Sequence, residues 1–217
     1  MDVGRRAHGA AADVLAAIIS PLPHYRGQPS ALIATIVSAL AASLDLPDHE
    51  VDKIRVAALL HDVGKVGISQ EILEKPGPLT APEWRSVTQH PRIGQVILEQ
   101  ATTLRDAVPI ILHHHERFGG AGYPHGLRGT EIPLGARIVA IADAYDAMIH
   151  DRPYKAKISH QQAIEELRCH AGSQFDPDLV ELFCDIYGQY APEADPATLG
   201  FSAAVESHRA ARRTAIG

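Results

Sequence analysis

Apolar residues recur every three or four positions along most of the chain, which is the spacing of amphipathic α-helices. The first apolar stripe runs through residues 32–44 and ends before Pro47. Asp48 follows at once and is predicted to cap a second helix, which leads to His61 and is predicted to close near Gly64. The pattern therefore predicts two consecutive helices with a polar group at the end of the second.

A capping box predicts the start of a further helix. Thr80–Glu83 has the required sequence, and Trp84 and Val87 are predicted to face inward from the helix that follows. Pro91 lacks a backbone donor and disfavours helical geometry at the residue before it. His90 is therefore predicted to lie at a break between helices.

The second half of the chain has the same helical character. Residues 101–112 are predicted to form one helix, and residues 118–130 form a loop, hereafter the glycine-rich loop. Residues 134–148 are apolar on most sides, which is typical of a central helix. Ser159 and Asp176 carry the sequence signals that begin two more helices. Because no segment alternates as a strand would, the fold class is predicted to be all-α.

The length of the chain fits one main domain. At 217 residues it can bury a sizeable core without disulfides or metals as staples. We assign residues 29–190 to this domain and residues 1–28 to an N-terminal helical extension. Residues 191–217 form a polar C-terminal tail, with a short helix as one alternative.

Composition and charge limit the compartment and the partners that the chain is predicted to have. The formal net charge of −6 argues against a nucleic-acid duplex as a partner. Cys169 and Cys184 lack CxxC spacing, so neither a disulfide framework nor a thiolate metal site is indicated. No uninterrupted apolar run approaches the ~20 residues of a membrane span. These features predict a cytoplasmic protein with no membrane span.

Histidines and aspartates interrupt the apolar pattern in a way that indicates a metal site. Imidazole nitrogens and carboxylate oxygens suit iron, manganese and zinc. The candidates are His61, Asp62, His90, the run His113-His114-His115, and Asp143. Two structural alternatives remain open: the His-Asp pair as an ordinary helix end, and the histidine run as a solvated loop or an adventitious metal binder.

Local geometry refines these candidates. Adjacent histidines on a regular helix point about 100° apart, so two can share a metal only where the helix ends. The glycine-rich loop supplies that ending, which favours His114 and His115 over His113. Asp62 is placed to bridge a second metal, and two metals would support phosphate-ester hydrolysis. Arg152 and Lys155 could then hold phosphates, or be an ordinary exposed pair.

The order and spacing of several short motifs resemble the HD-GYP family, a branch of the HD-domain metal-dependent phosphohydrolases. The resemblance spans residues 30–183 and is specific in combination, although each motif is weak alone. The motifs are His61-Asp62-Val63-Gly64-Lys65, Glu74-Lys75-Pro76-Gly77, His90-Pro91, His114-His115-Glu116-Arg117, Gly122-Tyr123-Pro124 and Asp151-Arg152-Pro153-Tyr154.

The resemblance implies an HD-domain helical bundle with C-terminal HD-GYP helices. It implies hydrolysis of cyclic di-GMP to pGpG or GMP with divalent metals, most often iron or manganese, with zinc, nickel and magnesium as alternatives. The implied metal ligands are His61, Asp62, His90, His114, His115 and Asp143, with Asp62 bridging. Asp62 and Lys65 are the implied catalytic residues, and Lys65, Gly122, Tyr123, Arg152 and Lys155 are the implied substrate-binding residues. A plain turn remains the alternative for Gly122.

One departure from the family pattern bears on catalysis. Family members usually carry a further histidine ligand 32 positions before the HD histidine, and this chain has Pro29 there. Two metals are therefore expected rather than three. Two alternative functions stay open: a non-catalytic module that binds cyclic di-GMP or a diguanylate cyclase (GGDEF) partner through the GYP loop, and a phosphohydrolase acting on another nucleotide. A homodimer is a further alternative for the assembly.

Overall fold

The computed structural model describes residues 30–151 and 156–188. The α-helices in this part of the chain are α1 (Ser30–Ser43), α2 (Asp48–Leu60), α3 (Gln70–Leu73), α4 (Ala81–Val87), α5 (His90–Leu98), α6 (Val108–His113), α7 (Leu134–Ile149), α8 (His160–Cys169) and α9 (Pro177–Tyr187). Short 3₁₀ helices cover Val63–Gly67, Thr102–Ala107 and Gly129–Glu131. No strand longer than an isolated bridge occurs in the described ranges, so the predicted all-α class is confirmed.

Helix α7 lies at the centre of the bundle. It packs against α1, α2, α6, α8 and α9. Its residues Ile138, Val139, Ile141 and Ala142 are completely buried, as its apolar sequence predicted. Burial of this kind contributes roughly 25 cal/mol per Å² of apolar surface, so the central helix is held mainly by the hydrophobic effect.

Three predicted helix starts are confirmed. The Thr80 hydroxyl and the Glu83 carboxylate form the reciprocal bonds of a capping box at α4. Ser159 caps α8 in the same way. The Asp176 carboxylate accepts from backbone N–H groups in the first turn of α9, and Pro177 occupies the first helical position. Local sequence signals were sufficient here because the bonded groups lie within three residues of each other.

Other local predictions were wrong. Pro47 occupies the N-cap position of α2, and Asp48 is the first helical residue rather than the cap. The predicted helix over residues 101–112 is divided into a 3₁₀ helix and α6, and Pro109 is the second residue of α6, in the first turn where proline is tolerated. His90 is itself the first residue of α5, so the break lies just before it.

Trp84 does not face inward as predicted, and its side chain remains 52% exposed.

Some residues named in the sequence predictions lie outside the described ranges. They are residues 1–28, Pro29, Arg152, Lys155 and residues 191–217. Among the helices that are described, none has both the length and the apolar character that a membrane span requires.

Candidate metal centre and substrate cavity

Four helices bring the predicted ligands together. The end of α2 presents His61 and Asp62, and the start of α5 presents His90. The end of α6 leads directly into His114 and His115. The middle of α7 supplies Asp143.

Three of the histidine rings are oriented by the same kind of hydrogen bond to the backbone. In His61, His90 and His114, Nδ1 lies 2.7, 2.8 and 2.6 Å from the backbone carbonyl oxygen three residues earlier in the chain. A carbonyl oxygen can only accept, so Nδ1 carries the proton in each ring. The unprotonated nitrogen of a neutral ring is then Nε2, which is the arrangement that metal-binding histidines commonly have.

The Nε2 atoms of His90 and His114 lie 3.3 Å apart. Burial lowers the pKa of both rings, most strongly that of His114, so both are neutral at neutral pH. Two lone pairs therefore face each other without a proton between them. A metal with bonds of about 2.1 Å would hold two such nitrogens about 3.0–3.4 Å apart, so the pair fits a cation.

Asp62 and His115 complete a compact ligand cluster. Together with His90 and His114, they offer ligand atoms that all lie within 4.8 Å of one another. Burial lowers the pKa of His115 to about 3, so this ring also stays neutral. One carboxylate and three neutral imidazoles suit a divalent transition metal. The residues present therefore fit a metal ion.

Asp62 faces two positions at once. Its Oδ1 lies 3.3 Å from His90 Nε2, and its Oδ2 lies 3.4 Å from His61 Nε2. His61 Nε2 is in turn 3.8 Å from Asp143 Oδ1. The two carboxylate oxygens thus point toward separate groups of donors, the ligand cluster on one side and an adjoining position between His61 and Asp143 on the other.

The carboxylates of Asp62 and Asp143 favour a positive charge at the adjoining position. Burial lowers the pKa of His61, but the carboxylates of Asp62 and Asp143 outweigh it and raise the pKa to about 9. Burial raises the pKa of Asp62, yet Lys65 and His61 hold it well below its usual range. Lys65 Nζ donates to Asp62 Oδ2 over 2.6 Å. The carboxylate is therefore ionised, and His61 is protonated at neutral pH unless a metal takes the proton's place.

A cavity of about 610 Å³ opens onto this centre. Ligand cavities in proteins commonly have volumes of this order. Its lining includes the candidate ligands His114, His115 and Asp143, together with Gly122 and Tyr123 from the glycine-rich loop. The rings of Tyr123 and His115 lie 4.9 Å apart and are tilted by 30°. The loop therefore borders the metal centre directly.

Burial raises the pKa of the Tyr123 hydroxyl, and the nearby Asp62 and Asp143 act in the same direction. The phenol therefore keeps its proton at neutral pH and can donate a hydrogen bond into the cavity.

Close packing requires a glycine at position 122. A Cβ at Gly122 would lie 2.3 Å from the backbone nitrogen of Arg117. The glycine permits the loop to pack against the chain that follows the histidines.

Glu116 holds the glycine-rich loop in place, and we did not predict this role from the sequence. Its buried carboxylate accepts hydrogen bonds from the backbone N–H groups of His125 and Leu127, at 2.7 and 3.1 Å. A buried carboxylate is costly unless it is hydrogen-bonded, and here each oxygen has a partner. The available signal was an acidic residue just before a glycine-rich stretch, with no basic partner predicted for it.

His113 lies outside the ligand cluster, as its position in the histidine run indicated. Its Nδ1 donates to the carbonyl oxygen of Pro109, and its Nε2 is 3.0 Å from His125 Nδ1. His113, Glu116 and His125 also form a group close enough to hold a metal. The hydrogen bonds already account for this arrangement, which links α6 to the loop.

The structure brings together seven of the predicted site residues at the candidate metal centre: His61, Asp62, Lys65, His90, His114, His115 and Asp143. Gly122 and Tyr123 line the adjoining cavity. Arg152 and Lys155 lie outside the described residues. Trp84 and Arg117 also line the cavity, and the sequence interpretation missed both.

Comparison with known proteins gives the same picture. The HD domain family matches residues 13–179. The cyclic di-GMP phosphodiesterase response regulator RpfG of Xanthomonas campestris is 43% identical over 148 residues, which cover 67% of this chain and 39% of that protein. The 3'3'-cGAMP-specific phosphodiesterase 2 of Vibrio cholerae is 40% identical over 160 residues, covering 73% of this chain and 31% of that protein. The chain thus spans less than half the length of these relatives.

A solved structure supports the fold. The cyclic GMP-AMP specific phosphodiesterase V-cGAP3 of V. cholerae has a TM-score of 0.65 at 18% identity, covering 93% of this chain and 52% of that one. At this identity the likeness concerns the fold alone. The family match covers most of the chain, and the HD, HHE and GYP motifs lie around one buried centre. The chain therefore belongs to the HD domain family of metal-dependent phosphohydrolases, within its HD-GYP branch.

Proposed function

We propose that this chain is a metal-dependent phosphodiesterase that hydrolyses cyclic di-GMP to pGpG or GMP. The observation that carries the proposal is the buried pair of His90 and His114, whose Nε2 atoms face each other 3.3 Å apart beside a cavity large enough for a nucleotide. The relatives named as cyclic di-GMP phosphodiesterases support the choice of substrate.

The proposed ligands divide between two positions. His90, His114 and His115 with Asp62 would hold one divalent ion, and His61 and Asp143 with the other oxygen of Asp62 would hold a second. Iron or manganese is proposed for both. Divalent ions held there would lower the pKa of a water and offset the charge of a phosphodiester. Pro29 lies outside the described residues, so its effect on the second position rests on the sequence alone.

Residues of the chain would orient the substrate. Lys65 Nζ donates to Asp62 Oδ2 and so orients that carboxylate. Its ammonium group would lie near the scissile phosphate of a bound substrate. The Tyr123 hydroxyl would donate to a phosphate oxygen, with Arg152 and Lys155 proposed for the second phosphate. Hydrolysis adds water across one P–O bond of the ring, so the 3'-oxygen leaves with a proton and linear pGpG forms.

The test is turnover by purified protein loaded with Mn²⁺ or Fe²⁺, with products separated by chromatography. We expect hydrolysis of cyclic di-GMP, and loss of both activity and about one bound metal per chain in His114→Ala. The matched control is His49→Ala, because the His49 side chain is 71% exposed on α2. Metal-loaded protein that binds cyclic di-GMP without hydrolysing it would contradict the proposal.

A different cyclic dinucleotide is the second candidate. Its support is the 40% identity to a relative named as 3'3'-cGAMP-specific. A panel of cyclic di-GMP, 3'3'-cGAMP and cyclic di-AMP, compared by kcat/KM under identical metal loading, separates the two. We expect the highest kcat/KM for cyclic di-GMP.

A non-catalytic binding module is the third candidate, supported by Pro29 in place of a family ligand. Such a module would bind cyclic di-GMP, or a diguanylate cyclase partner through the glycine-rich loop. The number of metals per chain and the turnover, measured on the same sample, decide between a binding module and an enzyme. One metal per chain without turnover supports the binding module, and two metals with turnover exclude it.

A further inference from the structure

Trp84 is a large apolar side chain that the packing of the bundle does not use. It is 52% exposed, and it lines the cavity beside the metal centre. Its helix is nevertheless well fixed, because Lys75 Nζ bonds both oxygens of Glu83 at 3.0 and 2.7 Å and Glu83 closes the capping box with Thr80. Helix α4 is therefore held in place and presents the Trp84 indole to the cavity. The packing of the bundle does not require an indole at this position.

Aromatic rings extend from the metal centre to this indole. The ring of His115 lies 4.9 Å from that of Tyr123, and the ring of Tyr123 lies 6.2 Å from that of Trp84 at an angle of 82°. An edge-to-face contact occupies only part of the indole surface. The remaining exposed surface of Trp84 is available to a planar ring whose attached phosphate would reach toward the ligand cluster.

Arg117 supplies the polar counterpart. Its side chain is exposed and lines the same cavity as Trp84. Among the described residues, its guanidinium makes no hydrogen bond or ion pair, and its positive charge opposes the rise in the pKa of the Tyr123 hydroxyl in the same cavity lining. The backbone next to it is fixed, since Glu116 anchors the loop and Gly122 packs against the Arg117 nitrogen. A guanidinium with five donors is thus placed at the cavity wall without a structural role there.

We propose that Trp84 and Arg117 form a guanine subsite, in which the indole stacks on one base of the substrate and the guanidinium donates to O6 and N7 of a guanine. Arginine commonly reads guanine through these two acceptors, and aromatic side chains stack on any base. The inference rests on the proposed function, which places the phosphate at the metal centre. It adds the residues that select the base.

The chain offers a direct assay because Trp84 is its single tryptophan. GMP is titrated into chelator-treated, metal-free protein while the tryptophan fluorescence is followed, with ribose 5-phosphate as the ligand that lacks a base. We expect saturable quenching by GMP alone, after correction against free N-acetyltryptophanamide. Absence of saturable quenching, or equal changes with ribose 5-phosphate, overturns the stacking. This readout does not depend on turnover, so it stands even if the proposed hydrolysis fails.

Kinetics test the same subsite in the metal-loaded protein. Trp84→Leu should raise KM for cyclic di-GMP by about 5- to 150-fold, the range that one base–aromatic stack supplies, and Trp84→Phe by less. Hydrolysis of ethylene phosphate, a cyclic phosphodiester without an aromatic ring, should stay unchanged in both. Val96→Ala is the matched control, because Val96 is 63% exposed on α5 away from the cavity lining. Equal losses on both substrates would show a general structural effect and overturn the proposal.

Arg117 is tested through selectivity rather than rate. Arg117→Met should reduce the preference for cyclic di-GMP over cyclic di-AMP by about 5- to 150-fold, which corresponds to one bidentate base contact. An unchanged ratio of kcat/KM values removes Arg117 from the subsite. If Trp84→Leu affected binding of a protein partner but neither nucleotide readout, the indole would be a docking contact, and the proposal would be wrong.

Discussion

Metal binding at the adjoining position should release one proton, and His61 should be its source. In metal-free protein the pKa of His61 is raised to about 9, so the ring is protonated at neutral pH. A metal can bind Nε2 only after that proton leaves. The rings of His90, His114 and His115 have lowered pKa values and are already neutral, so a metal in the ligand cluster displaces none from them.

The size of the effect follows from the pKa. The pKa of His61 lies about two units above pH 7, so at this pH the metal must displace a bound proton. This competition weakens metal binding about 100-fold, or about 2.7 kcal/mol. The sign is set by the raised pKa: below about 9 the apparent metal affinity should rise roughly tenfold per pH unit, and above it the affinity should level off.

Titration calorimetry measures the proton directly. Mn²⁺ is added at about pH 6, below the ~7 at which a coordinated water ionises, in buffers of different ionisation enthalpy. We expect about one proton released when both positions fill, and close to none in His61→Gln, while His49→Gln behaves as wild type. No proton release in the wild type, or undiminished release in His61→Gln, would refute the reasoning.

Three further outcomes are expected. Glu116→Gln keeps one acceptor but leaves a backbone N–H of the glycine-rich loop without its carboxylate partner, so kcat/KM should fall about tenfold, with faster amide hydrogen exchange in the loop as the check. Arg137→Met removes the partner of the buried Asp176 carboxylate and should lower the free energy of unfolding by about 3 kcal/mol in a denaturant titration. Gly64→Ala places a Cβ 1.9 Å from the His90 carbonyl oxygen, so the melting temperature and the bound metal should both decrease; an unaltered metal content would contradict that contact.

Local signals in the sequence predicted much of the helical framework. The capping residues Thr80, Ser159 and Asp176 begin helices as predicted, because each bonds a backbone group within three positions. The prediction for Asp48 was wrong for a related reason: its side chain had the right chemistry, but Pro47 already had the extended backbone that an N-cap requires. Helix boundaries near proline were the least predictable part of the fold.

The sequence by itself determined the types of ligand and their order along the chain, because histidine and aspartate in an apolar helical pattern have few other uses. Only the tertiary structure decided which atoms meet. It placed His90 against His114, turned the two oxygens of Asp62 toward different groups, and left Trp84 exposed at the cavity. The contacts among Asp62, His90 and His114 join residues far apart in sequence, and their geometry depends on how α2, α5 and α6 pack. Helical periodicity specifies which face of a helix is apolar, but the approach of one helix to another is set by the whole core.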